Sequence, residues 1–526
     1  MRATLAFLLA AVVLMGLSCG SPGNGAGRTL VWGMGYQPDL LNPLLSTSSQ
    51  ATEMADLLFL KLTDFGPPPE LADRPMLAES WELSDDGLVL TYTLREDVVW
   101  EDGVPTTADD VKFTFDRMAD PDIPYRDKGQ IRHIESCDAP DPRTVRFRFR
   151  KAVAEPVNDT RFHVLPAHLL SGATAAALPS LPFNRAPVGN AFWRLREWVA
   201  EDRLVFDASE TCALGRAGFD RLVFRIIPEE TTLRTELETG GVHVYHRMPS
   251  RFFQALEGRA EYGFGRFSDR TYTYIGWNHR AALFADPRVR RALTMVTDRQ
   301  TIVDAFRVGF GQVIATTIYP EHWAFHPGIE PYPFDPAAAG RLLDEAGWSE
   351  RDSKGIRMKD GQRFEFTFTL ISGNEISEEI ATMVQADYQE LGIGVDTEFF
   401  EWTVYLEKIY AKDFDATVLA SRTDFVFDPE DNFHTRAIAG GHNSISFSHP
   451  VTDSLMDRAR VTQDREETKR IWREFQEVMH RLEPVSVLYA GEANYPYRRD
   501  RVAEAPMDSR GALVEVHRWR PAGGAS

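Results

Sequence analysis

The sequence predicts a mixed α/β fold in which helices cover the faces of sheets. Strand-like and helix-like stretches interleave along the 526 residues, with no repeat period and no low-complexity tract. Residues 144–150 alternate strictly, with Val145, Phe147 and Phe149 on one face and Arg146, Arg148 and Arg150 on the other. That pattern is a half-buried antiparallel strand. Asp286-Pro287 and Asp335-Pro336 each open a helical stretch, the aspartate as N-cap and the proline at the first helical position. Composition agrees: 43% hydrophobic and 26% charged residues describe a globular chain, and the length suggests about three domains. A wholly disordered, collagenous or disulfide-stapled protein is excluded.

In chain order, a strand begins in 28–35. Residues 51–62 have helical spacing, with Met54, Leu57, Leu58 and Leu62 on one face, until Gly66-Pro67-Pro68-Pro69 interrupts the chain. A strand in 88–95 precedes a capping-box helix from Thr107 to Met118. A second Pro/Gly-rich crossing covers 179–189. Strands follow at 192–199, 204–207 and 222–227, and a helix at 229–239 stops at Gly240-Gly241. The helices opened by the Asp-Pro pairs run to Thr297 and Gly347. A strand at 364–370 alternates, and a helix at 377–391 ends at Gly392. Strands at 394–400, 414–420 and 485–489 flank the charged helix 464–482, whose polar residues form a solvated face.

Carboxylates outnumber Lys and Arg by 78 to 58, a net charge of −20. Such a field repels phosphates and anionic lipid heads, so no nucleic-acid partner and no polybasic membrane surface is expected, although a local basic cleft is compatible with it. The first residues differ from the rest. Arg2 is followed by an apolar run from Leu5 to Leu17, too short to span a bilayer and suited to an export signal. Cys19 then precedes Gly20-Ser21-Pro22-Gly23, which resembles a bacterial lipoprotein signal, with Ser18 fitting and Gly16 standing where a leucine is usual. The expectation is a signal over 1–18, lipidation of Cys19, and a flexible tether over 19–27. Cys137 and Cys212 are read as buried free thiols.

A longer block carries a family resemblance. Leu77-Ala78-Glu79-Ser80-Trp81-Glu82, Asp85-Asp86-Gly87, Trp100-Glu101-Asp102-Gly103-Val104-Pro105 and Thr107-Ala108-Asp109-Asp110-Val111 follow one another in the order typical of the extracytoplasmic solute-binding proteins of family 5. These are the peptide, opine and nickel binders of ABC importers. The similarity continues through 222–228, Trp277-Asn278, 286–298, 334–348 and Asp428-Pro429-Glu430-Asp431-Asn432-Phe433. It implies a two-lobed periplasmic-binding-protein (Venus flytrap) fold of the cluster C type, with an extra inserted subdomain. The implied lobe one is discontinuous, 28–66, 187–270 and 490–520. The inserted subdomain is 67–186, and lobe two is 271–489.

The resemblance also implies site residues. Peptide-binding members hold the α-ammonium with an aspartate nine residues beyond the end of an "EW…FD" segment. Here Glu401-Trp402 through Phe414-Asp415 matches that segment, and the offset reaches Asp424. A buried ammonium needs a carboxylate partner; the alternative for Asp424 is a loop cap. Val418 and Ile409 stand where oligopeptide binders carry arginines, Ser421 where they often carry tryptophan, and Arg422 is a candidate replacement cation. Phe425 is taken with them as ligand-facing. Trp402 is either a pocket aromatic or a lobe-core tryptophan. Gly33-Met34-Gly35-Tyr36 resembles the first cleft loop, with Gly35 allowing close approach and Tyr36 covering a ligand. Asn278 is read as fixing the hinge strand.

No catalytic or metal site is expected. His243, His246, His163 and His168 lack the ligand company of a metal centre, with His168 read as a core histidine. G-x-S-x-G, H-E-x-x-H and Walker A patterns are absent from the sequence. The sequence reading is therefore a non-enzymatic, monomeric, lipid-anchored receptor without cofactor, which captures a peptide outside the cytoplasmic membrane and delivers it to ABC permease subunits. The alternatives are a nickel chelate, an opine or an oligosaccharide in the same architecture, or a lipoprotein sensor that signals through a partner.

Overall fold

A computed structural model describes residues 28–439 and 442–523. Cys19, the signal and the tether lie outside the described residues. One 11-stranded sheet runs through the molecule. At its centre two long strands, Tyr262–Trp277 and Val485–Arg498, pair antiparallel along nearly their whole length. Ala416–Arg422, Glu365–Ile371 and Gly394–Phe400 follow on the Tyr262–Trp277 side. Val244–Tyr245, Thr29–Met34, Arg221–Ile226, Arg203–Ala208 and Trp193–Val199 follow on the other. Each flank is built on parallel pairs, 365–371 with 394–400 and 29–34 with 221–226. Each half of the sheet carries its own hydrophobic core.

The long strands were only partly legible. The sequence expectation assigned no strand over 262–277 and ended the second at Tyr489, whereas the strands run from Tyr262 to Trp277 and from Val485 to Arg498. Val485–Gly491 is buried residue after residue, because strands on one side and helices on both faces remove the polar alternation. Their ladder shifts register twice. The smaller shift falls between Thr273, paired with Tyr489, and Tyr274, paired with Val487; at the larger, Ser268 pairs with Glu492 and Tyr272 with Ala490, so three residues bulge opposite Gly491. A Cβ on Gly491 would lie 2.5 Å from Arg307 Nη2 and 2.8 Å from Asp269 Oδ2, the ion pair that sits over the bulge.

A separate four-stranded antiparallel sheet, ordered Ala78–Leu83, Val89–Leu94, Thr144–Phe149, Ile134–Asp141, packs on the helix Ala108–Ala119. Val145, Phe147 and Phe149 face its core, as their alternation requires. Asp110 joins the two motifs that precede the helix. Its carboxylate accepts from Thr107 N (2.8 Å), Ala167 N (2.8 Å) and Trp100 Nε1 (3.3 Å). Asp286 and Asp335 cap the helices Pro287–Val296 and Pro336–Glu345, accepting from Arg288 N and Ala338 N. Gly240 ends the helix Glu230–Thr239 with a left-handed φ of 86°.

Two histidine and thiol expectations are refined. His168 is not a core residue: it is exposed and binds Asp102 at 2.7 Å, since the short helix Ala167–Leu170 turns Leu170, not its histidine, inward. Cys137 and Cys212 are free thiols, the first buried and the second half-buried.

Candidate functional site

A cavity of about 960 Å³ lies between three parts of the chain: residues 41–64 with 114–165, the bulged stretch 267–270, and residues 422–428 with 459–472. Among the described residues ten Lys and Arg side chains and ten Asp and Glu side chains line it. The cavity is therefore electrically balanced inside a chain of net charge −20. Its ligand need not be a cation.

The strand Ala416–Arg422 delivers the first wall. Thr423 is buried and fixes the strand's end: its N donates to Arg270 O (2.8 Å) and its Oγ1 to Thr317 O (2.7 Å). Arg422 and Asp424, on either side, line the cavity. The Phe425 carbonyl accepts from His322 Nε2 (3.0 Å) and Trp323 Nε1 (3.1 Å), and its ring lies 4.8 Å from that of Phe65. The His322 Nδ1 accepts from Ala324 N, so the imidazole is the neutral tautomer protonated on Nε2. Burial holds its pKa down to about 4.

The Asp424 carboxylate forms no hydrogen bond or ion pair among the described residues. Both it and Arg422 reach the open volume, yet the surrounding walls withdraw enough water to perturb them. Burial raises the Asp424 pKa, with Arg422 opposing. Burial lowers that of Arg422, with the like charge of Arg247 adding to it. Such a carboxylate gains most from a cation arriving with the ligand.

The opposite wall is internally paired. Lys61 Nζ lies 2.7 Å from Asp56 and 3.3 Å from Asp64, and His163 Nε2 contacts Asp56 at 2.8 Å. Burial opposes ionisation of Asp56, but Lys61 and His163 outweigh it and hold the carboxyl well below its usual range. Asp159 differs: burial pushes it up to about 7 despite Arg132 and Arg460 nearby. Among the described residues no group of three or more His, Cys, Asp or Glu side chains is placed to hold a metal ion.

Of the residues singled out from sequence, Asp424, Arg422 and Phe425 line this cavity together. Gly35, Tyr36 and Trp402 are not part of its lining. Tyr36 is 73% exposed, and a Cβ on Gly35 would meet nothing within 4 Å. The glycine that backbone packing does require is Gly33, where a Cβ would meet Leu233 Cδ1 at 2.3 Å. Trp402, in the first turn of the helix Trp402–Ala411, is 54% exposed and stacks on Tyr405, so it is not a lobe-core tryptophan either. Asn278 donates to Lys412 O (3.0 Å) and Phe414 O (2.6 Å), tying the end of the strand Tyr262–Trp277 to its neighbour. Sequence reasoning missed Arg247 and Arg270. Arg247 sits in the turn after Val244–Tyr245 and Arg270 in the bulge, and nothing in the local sequence marks either one.

The family model described as bacterial extracellular solute-binding proteins, family 5 Middle, matches residues 74–443. The oligopeptide-binding protein AppA of Bacillus subtilis (strain 168) is 28% identical over 479 residues, covering 90% of this chain and 87% of the relative. Heme-binding protein A of Haemophilus influenzae is 26% identical over 436 residues, 78% of each chain. The solved structure of the Bacillus subtilis AppA in complex with a nonapeptide superposes with a TM-score of 0.74 at 27% identity, covering 94% of this chain and 99% of that one.

Proposed function

Because the chain belongs to the bacterial extracellular solute-binding proteins, family 5, we propose that it captures a peptide in the 960 Å³ cavity and delivers it to the permease of an ABC importer. One observation carries the peptide reading: Asp424 is an unpaired carboxylate on the cavity wall, nine residues beyond Asp415. The balanced charge of the lining suits a zwitterion better than a neutral sugar. In this reading lobe one is 28–66, 187–270 and 490–520, the inserted subdomain is 67–186, and lobe two is 271–489. The lobes close about the bulge at 268–272. Lipidation of Cys19 would hold the receptor at the cell envelope.

Asp424→Asn keeps the side chain's shape and removes its charge. Truncating one partner of a buried charge pair typically costs about 2–5 kcal/mol, or roughly 30- to 5,000-fold in affinity. By calorimetry, a free-amine peptide should bind wild type far better than its N-acetylated form, and the variant should discriminate less. Equal binding of the free-amine ligand by both proteins would replace the peptide reading with a sugar or a chelate.

A further inference from the structure

Arg270 is 7% exposed, yet among the described residues its guanidinium forms no hydrogen bond or ion pair, and its buried Nε has no partner. It lines the cavity. Its guanidinium carbon sits 3.8 Å from the centroid of the Phe425 ring, so the aromatic face supports the cation on one side. The backbone there is left-handed, with φ 64°, at the centre of the ladder break. An arginine holds that conformation only where its surroundings fix it. Here Ser268 Oγ accepts from Arg270 N (3.1 Å), and Thr423 N donates to Arg270 O (2.8 Å).

Arg422 stands beside it, because Thr271 pairs with Arg422 across the ladder. It too has no ion pair among the described residues, and it faces the like charge of Arg247. Asp424, Glu53 and Asp269 act on Arg422 only at longer range than an ion pair. The wall therefore presents two guanidinium groups on adjacent strands without an ion pair among the described residues, one of them almost wholly withdrawn from water. Burying a cation without a counter-charge is costly, and a planar fork is matched by a carboxylate.

We propose that Arg270 and Arg422 form an anion subsite that takes the side-chain carboxylate of the ligand's first residue. This rests on the reading in which Asp424 holds the α-ammonium, and it adds a selectivity that reading does not contain. Asp424 follows Arg422 by two residues, a rise of about 7 Å along extended chain. An ammonium and the side-chain carboxylate of an N-terminal glutamate fit within that span. The C-terminal carboxylate of an extended tripeptide lies on the order of 10 Å from its amine and falls outside it. Selection is thus for an acidic first position, not for negative charge in general.

Calorimetry with Glu-Ala-Ala, Gln-Ala-Ala and Ala-Ala-Glu on wild type, Arg422→Gln and Arg270→Gln tests this. Wild type should prefer Glu-Ala-Ala over Gln-Ala-Ala by roughly 10- to 100-fold, the worth of charge-assisted hydrogen bonds, and should give Ala-Ala-Glu no such gain. Arg422→Gln should bring the ratio close to one. Arg270→Gln should do the same if its melting curve shows a folded protein; if it does not fold, Arg422→Gln decides alone. Equal binding of the first two peptides by wild type, or a ratio that survives Arg422→Gln, overturns the subsite. If wild type binds none of the three, the amine anchor has failed, and inorganic phosphate becomes the probe. Saturable phosphate binding that Arg422→Gln abolishes would sustain an anion subsite, and its absence in wild type would overturn that as well.

Discussion

Arg132 Nη2 lies 3.5 Å from Asp428 Oδ2 across the cavity rim, and Arg460 Nε approaches the same carboxylate at 3.6 Å. Ala154 N adds a hydrogen bond to Arg460 O at 3.0 Å. These contacts join the segments around the four-stranded sheet to the wall that carries Asp424. The Arg132–Asp428 pair is partly solvated, so its worth is at most about 1 kcal/mol. Asp428→Asn should weaken ligand binding by up to about 5-fold at low salt, and the difference should shrink as ionic strength rises. A salt-independent loss would show that Asp428 touches the ligand itself.

A second prediction concerns pH. Glu483 is buried at the C-terminal end of the helix Arg465–Leu482, with φ 46°, and its Oε1 accepts from Thr294 Oγ1 at 2.7 Å. Burial pushes its carboxyl up to about 7, although Arg299, Arg291 and Arg290 favour the charged form. The helix's negative pole acts in the same direction as burial. Between pH 4.5 and 7 the folded protein holds this proton and the unfolded chain releases it, so this group lowers stability as pH rises. Glu483→Gln should melt like wild type near pH 4.5. By pH 8 it should be more stable, on the order of 1–3 kcal/mol. A variant less stable than wild type at pH 8 would mean that the arginines keep Glu483 ionised.

What could be read from the sequence was whatever writes itself locally. The alternation of Val145, Phe147 and Phe149, the Asp-Pro caps at 286 and 335, and the block around Trp100 and Asp110 all name their structures through short-range chemistry. The strand Tyr262–Trp277 does not, because it is flanked by strands on both sides and its burial follows no simple period. In the cavity, Asp424 was reachable through its offset from Asp415. Arg270 was not, since its role comes from a backbone bulge and from Phe425, which lies 155 residues further on. Tyr36 and Trp402, expected near a ligand through the family resemblance, are exposed and lie outside the lining of this cavity.

A third prediction addresses the anchor. None of the described helices is long and apolar enough to cross a membrane. Under the proposed lipidation, acyl chains at Cys19 hold the protein at the envelope. Cys19→Ala should move the protein from the washed membrane fraction to the soluble extracytoplasmic fraction, because no second attachment signal is foreseen. Sedimentation of the variant with membranes, unchanged after a salt wash, would remove the lipid-anchor proposal.

The place of Thr29–Met34 has a mechanical side. The strand lies in parallel between Arg221–Ile226 and Val244–Tyr245, with six paired positions on one side and two on the other. A pull through the residues before Thr29 runs along the strand, so both ladders are loaded in shear and their hydrogen bonds must fail together. An edge strand peeled sideways would surrender them one at a time. If the proposed lipid anchor holds, a tug by turgor, flow or a docking partner would thus be borne by eight paired positions at once, before it reaches Leu41 and Leu44 at the cavity wall.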